Sequence, residues 1–340
     1  RHLENAIRLG ADQPQYKAWL ALALAEAGYQ DQAVNMAQQV LAAPETRGLG
    51  RALLGQLRFR AGQWDDADGD FKKAYELADE EFRPSLRLSQ AELAIARGDW
   101  PTASAIINEL SDTPMAPQAA ALHFRHLRRN DQKEQAQQVL NEARARFPDD
   151  IMLLALNVDL LVTRGAHKEA LEILEKYQRQ QPDTLAIYVL TSEVHEMTGD
   201  TDVAIKTLTE AATRFPEEHA LRIRLAEKLL DTRRFDQAAV VLADLKGNPN
   251  VNPAALDYLL ARSAFLQGDM EKAEAVVEQA AAKDPDNPTL KFLLGQLAAR
   301  KGDHTTATPM FERSLTGGAE RQKLSAALGD SLARSAETER

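Results

Sequence analysis

Residues 165–204 read GAHKEALEILEKYQRQQPDTLAIYVLTSEVHEMTGDTDVA, and this stretch decides the fold. It opens on Gly165 with Ala170 five positions later, and closes on Gly199 with Ala204, the second alanine 34 residues after the first. Leu174 and Tyr177 follow Ala170 at four and seven positions, the i, i+4, i+7 stripe of a helix with one buried face. Pro182 comes twelve after Ala170, where a ring without an N–H stops that helix. A second apolar-periodic segment then runs up to Gly199. The unit is two helices and a turn.

The same pairing of a turn residue with a later Ala extends along the chain in both directions. It joins Gly28 to Ala33, Gly62 to Ala67, Gly98 to Ala103, Asp131 to Ala136, Arg233 to Ala238, Gly268 to Ala273 and Gly302 to Ala307. Successive alanines lie 34, 36, 33, 34, 34, 34, 35 and 34 positions apart, too steady a period for chance. Four residues after each Ala comes an apolar residue, such as Phe71, Ile107, Leu140, Leu208 and Phe311, and of the residues seven after it only Ser314 is polar. Twelve before each Ala stand Ala21, Gly55, Ala91, Phe124, Val158, Ser192, Ala226, Ala261 and Gly295, mostly small residues, as two closely crossing helices require.

This pattern, Leu294-Gly295 followed by Ala307 and Phe311 inside a 34-residue helix-turn-helix, resembles the tetratricopeptide-repeat (TPR) motif. The resemblance covers nearly the whole chain and implies an all-α fold, an α-solenoid of helical hairpins coiled into a right-handed superhelix of more than one turn. We expect a single array over 1–340: the second helix of a partial repeat at 1–13, nine full repeats over 14–321, and a partial repeat or terminal helix at 322–340, where Leu328-Gly329 restarts the register. Departures from the period fall at ADEEFRPS (78–85), SDTPMAP (111–117) and KGNPNVNP (246–253), between repeats, where insertions are tolerated.

Composition agrees and narrows the function. Of the 340 residues 44% are hydrophobic and 27% charged, which supports a folded chain throughout. A net charge of −10 weighs against general binding to nucleic acid or anionic membranes, and no apolar run approaches the roughly 20 residues of a membrane span. The absence of cysteine removes disulfides, thiolate metal sites and cysteine nucleophiles. The chain opens on Arg1 without Met, from which we expect that an upstream anchor or signal has been removed. The compartment that fits is the bacterial periplasm, with the cytoplasm as the alternative.

No HExxH, Walker loop, GxSxG elbow or GxGxxG is present, so we expect no catalytic residues, no cofactor and no metal. His123 and His126 are three apart on one helix but lack an acidic or thiolate neighbour to complete a ligand set. Trp64, Trp100, His167, Phe235, Met270 and His304 occupy one slot two residues after each turn, and packing at the hairpin explains them.

In TPR proteins the first helix of each repeat lines the concave wall. Eleven residues before each Ala stand Leu22, Gln56, Glu92, Arg125, Asp159, Glu193, Glu227, Arg262 and Gln296; four earlier, an apolar row includes Val189, Ile223 and Tyr258. Asp159, Glu193, Glu196, Glu227 and Asp231 make repeats five to seven acidic by this count, whereas HFRHLRRN around Arg125 makes repeat four basic. We therefore expect a protein or peptide partner of basic or mixed charge, held by Arg125, Asp159, Val189, Glu193, Glu196, Ile223, Glu227, Tyr258 and Arg262. The alternative use of the charges is pairing between repeats, Arg125 with Glu92 or Asp159 and Arg262 with Glu227, worth ~0 to 1 kcal/mol each. The Lys and Asn that capture C-terminal carboxylates in chaperone adaptors are missing from these rows. The resemblance implies an interaction scaffold, of the type found in exopolysaccharide export or envelope assembly. The other readings are a cytoplasmic regulatory or chaperone-like protein and the substrate-recruiting segment of a larger enzyme.

Overall fold

The computed structural model describes residues 14–26, 29–248, 250–283 and 287–315. The expected half-repeats at 1–13 and 322–340 and the turn at Gly28 lie outside these residues. Among the described residues there is no strand, and the helices run in antiparallel pairs. The pairs are α1 (Pro14–Glu26) with α2 (Gln30–Ala42), α3 (Arg47–Arg60) with α4 (Trp64–Leu77), and α5 (Arg83–Ala96) with α6 (Trp100–Glu109). Next come α7 (Ala116–Arg129) with α8 (Lys133–Arg146), α9 (Ile151–Thr163) with α10 (His167–Gln180), and α11 (Leu185–Met197) with α12 (Thr201–Arg214). The last are α13 (His219–Asp231) with α14 (Phe235–Leu245), α15 (Pro253–Gln267) with α16 (Met270–Lys283), and α17 (Pro288–Arg300) with α18 (His304–Leu315).

Eight of the nine turn residues lie within the description, and all eight have positive φ. Six are glycines; the other two, Asp131 and Arg233, adopt φ of 57° and 58° without the freedom of glycine. The backbone explains why. In each turn the N–H after the turn residue donates to the carbonyl five residues back, as in Gln63 to Leu57's neighbour Arg58 (2.9 Å), Gln132 to Leu127 (2.9 Å) and Arg234 to Leu229 (2.8 Å). That bond closes the first helix only if the residue between is left-handed. The departures in period sit between hairpins: a short 3₁₀ turn, Leu110–Asp112, follows α6, and Gly247 turns the chain between α14 and α15.

All nine repeat alanines have no exposed surface, and every residue twelve positions before them is buried. The crossing adjusts its volume locally. A Cβ on Gly55 would meet the Phe71 ring at 2.7 Å, and one on Gly295 would meet Phe311 at 2.6 Å, so glycine faces phenylalanine in these two hairpins. Ala226 instead faces a core containing Leu242, and Ser192 donates a 3.5 Å hydrogen bond to the Ala204 carbonyl.

The chain divides into two compact units, residues 1–160 and 161–340, the division falling within α9. In the first unit, α1, α3, α5 and α7 pack on one another in sequence. In the second, α13, α15 and α17 do the same. Among the described residues the second helices show no comparable packing, so these first helices form the inner row of each unit.

Candidate partner-binding surface

In the second unit α13 and α15 belong to the inner row, and α11 is joined to α13 by ion pairs. Val189, Ile223 and Tyr258 lie half-buried along these helices, one on each, against the core that includes Tyr188, Leu225 and Leu259. The polar row beside them is paired across repeats. Glu193 on α11 accepts from Arg224 on α13 at 2.9 Å, and Glu196 meets Lys228 at 2.9 Å. Asp231 on α13 is bonded in turn by Arg262 on α15. Burial is the largest influence on Arg262 and opposes its charge, but Tyr258, Asp231 and Glu227 outweigh it and hold the guanidinium above its ordinary value.

The wall counted as acidic from the sequence is thus a mixed-charge ladder in this unit. The count took the residues eleven before each Ala and omitted Arg224 and Lys228, which stand fourteen and ten before Ala238 on the same helix. Basic residues three positions before a counted acid, Arg224 before Glu227 and Lys228 before Asp231, are the signal that would have shown them. Arg262 pairs with Asp231, one turn along from the expected Glu227, which still acts on it electrostatically.

In the first unit Arg125 on α7 and Asp159 on α9 are exposed. Burial raises the carboxyl of Glu92 on α5 above its ordinary value, and Arg125 and Arg60 pull it back down. The pairing expected for Arg125 therefore takes the form of an electrostatic contact with Glu92. His123 and His126 pack against Trp100: the Trp100 and His126 rings stack 4.0 Å apart at 3°. Burial lowers the pKa of both imidazoles, helped by His126 for His123 and by Arg129 for His126. Among the described residues no group of three or more His, Cys, Asp or Glu is placed to hold a metal, and no helix is long and apolar enough to cross a membrane.

One buried charge escaped the sequence reading. Asp70, 2% exposed on α4, is held by Arg51 at 2.8 Å and Arg58 at 2.5 Å, both from α3. It stands three after Ala67, a place that holds Met36, Ile106, Val139, Ile173, Thr207, Val241, Val276 and Met310 elsewhere. A lone carboxylate in a row that is otherwise apolar but for one threonine was the available clue.

Hairpins of this length, closed by left-handed turns and packed through alanine, define a helical-repeat protein built to present a row of side chains. Family models described as tetratricopeptide repeat match residues 14–39 and 84–109, 122–183 and 258–322, and 197–263, together more than half of the chain. The chain belongs to the tetratricopeptide-repeat family. It is similar to TPR repeat-containing protein YpiA of Bacillus subtilis, 27% identical over 45% of this chain and 35% of that protein. It is also similar to TPR repeat-containing protein PA4667 of Pseudomonas aeruginosa, 24% identical over 57% of this chain and 34% of that protein. The matches thus span about a third of the length of each curated relative. A solved tetratricopeptide repeat protein from Parabacteroides merdae shares the fold, with a TM-score of 0.55 and 14% identity over 73% of this chain and 98% of that one.

Proposed function

We propose that this chain is a non-catalytic scaffold that holds a segment of a partner protein along the inner row of its second unit. The observation that carries the reading is the ladder of α11, α13 and α15, in which paired acids and bases adjoin the apolar row of Val189, Ile223 and Tyr258. Pairing holds the charged side chains in place before a partner arrives, which reduces the ordering cost of binding. A segment of mixed charge exchanges these pairs for its own while its apolar residues contact the adjacent row. In the first unit, Arg125 and Asp159 offer further charges of opposite sign. The resemblance to export scaffolds supports a partner within bacterial envelope or exopolysaccharide assembly, with the periplasm as compartment.

The test uses a partner isolated by pulldown and then purified. Changing Glu193→Gln and Glu227→Gln together is expected to slow association several-fold and flatten its salt dependence, because screened charge steering is removed. Unchanged rate and salt slope, with the helical circular dichroism intact, would move the binding surface elsewhere.

A further inference from the structure

The second helices α12 and α14 flank a groove on the side of the hairpins away from the inner row. Its volume is about 990 Å³, and none of the described residues fills it. Ile205, Leu225, Leu229, Val240 and Val241 form the apolar part of its lining, the two leucines coming from α13 between the walls. Along α12 the lining runs from Asp202 to Arg214, so the groove follows the helix for about 20 Å, between three and four helical turns.

Three features of the walls say what would fit. The hydroxyls of Thr209 and Thr213 donate to the carbonyls of Ile205 (2.8 Å) and Thr209 (2.9 Å), so they are already committed to their own helix. On the opposite wall Val240 is 64% exposed. In no other repeat does a large aliphatic residue stand two positions after the Ala; the occupants there are Asn35, Gly69, Ala105, Gln138, Glu172, Lys206, Ala275 and Pro309. Finally, charges alternate at four-residue spacing along α12, as Asp202, Lys206, Glu210 and Arg214. The outer two are engaged, Asp202 by Arg234 across the groove and Arg214 by Asp183 at 2.6 Å. Between them, exposed Lys206 and Glu210 offer one positive and one negative charge a single turn apart.

We propose that this groove is a second docking site and takes one amphipathic helix of a partner protein, about three turns long. Its apolar face covers Val240 and the leucines of α13, and an acid and a base one turn apart on its edge meet Lys206 and Glu210. An extended peptide would need backbone partners along the wall, and a helix satisfies its own backbone. The site is separate from the inner row, so either surface can fail without the other.

Two fluorescein-labelled amphipathic peptides of about 14 residues test this. They are identical except that an acid precedes a base by four positions in one and follows it in the other. Anisotropy titrations against the full chain are expected to show one order binding about tenfold tighter, and the double change Lys206→Glu, Glu210→Lys to invert that preference. Val240→Asp is expected to weaken binding at least about tenfold, whereas Val203→Asp, at an exposed place on α12 outside the groove, should leave it unchanged. The proposal is overturned if neither peptide saturates, if the preference survives the charge swap, or if both valine changes act alike. Sedimentation supplies the remaining outcome: a dimer of the chain alone that Val240→Asp dissolves would give the groove to a second copy and overturn the helix partner.

Discussion

Arg233 closes its hairpin with φ of 58°, a conformation that costs a residue with a Cβ about 1 kcal/mol or more. Replacing it with glycine removes that strain, offset in part by the greater freedom of glycine in the unfolded chain. Arg233→Gly is therefore expected to raise the unfolding free energy by about 0.5–1 kcal/mol in urea, with Gly165→Ala moving it the opposite way. Equal shifts in the same direction would show that turn geometry does not limit stability here. The imidazoles stacked on Trp100 make a second prediction. Their pKa values are lowered in the folded chain by burial, so folding favours the neutral forms. The stability they contribute is present above the unfolded value of about 6.5 and is lost as pH falls from there through the folded values. A urea midpoint that drops between pH 7.5 and 5.5, and drops less in His126→Gln, is the expected result. At this scale the sequence revealed the turn residues and the alanines, because sterics restrict both to a few residue types. It did not reveal the Trp100 stack, since aromatic residues 23 and 26 positions apart meet only after two helices have been placed.

Within a hairpin the crossing is governed by summed volume. Gly55 faces Phe71, whereas the crossing at Ala226 belongs to a core with Leu242. Gly55→Ala alone would press a methyl against the ring and is expected to cost about 1–3 kcal/mol. Adding Phe71→Leu reproduces the alanine and leucine combination, and should recover most of that loss despite removing apolar surface. A double-mutant cycle by chemical denaturation checks it; simple additivity of the two costs would mean the ring moves aside freely. Helix pairing could be read from the sequence because its period is set by local chemistry. The charges of the candidate surface were only half legible. Counting one row of the helix found Glu193, Glu227 and Arg262 but left out Arg224 and Lys228, whose long side chains reach Glu193 and Glu196 from neighbouring positions on the helical face.

Within each unit the contacts among the described residues join neighbouring helices and hairpins, and damage should stay where it is made. Ala67→Leu overpacks the α3 and α4 crossing, and hydrogen exchange by mass spectrometry is expected to quicken in α3 to α5 while α12 to α14 remain protected. Faster exchange along the entire molecule would instead mark a single cooperative body. The repeating architecture was legible at this scale because every unit restates the same constraints, whereas the partner surface depends on what differs between units. The ladder of ion pairs has a consequence of that kind. Each acid finds its base on the following repeat, Glu193 with Arg224 and then Asp231 with Arg262, so the hairpins are not interchangeable modules. Transposing the hairpin α11–α12 with α13–α14 would keep every fold-defining residue in period and yet leave these charges facing strangers. The serial order of the repeats is itself encoded, in the polar residues that the period ignores.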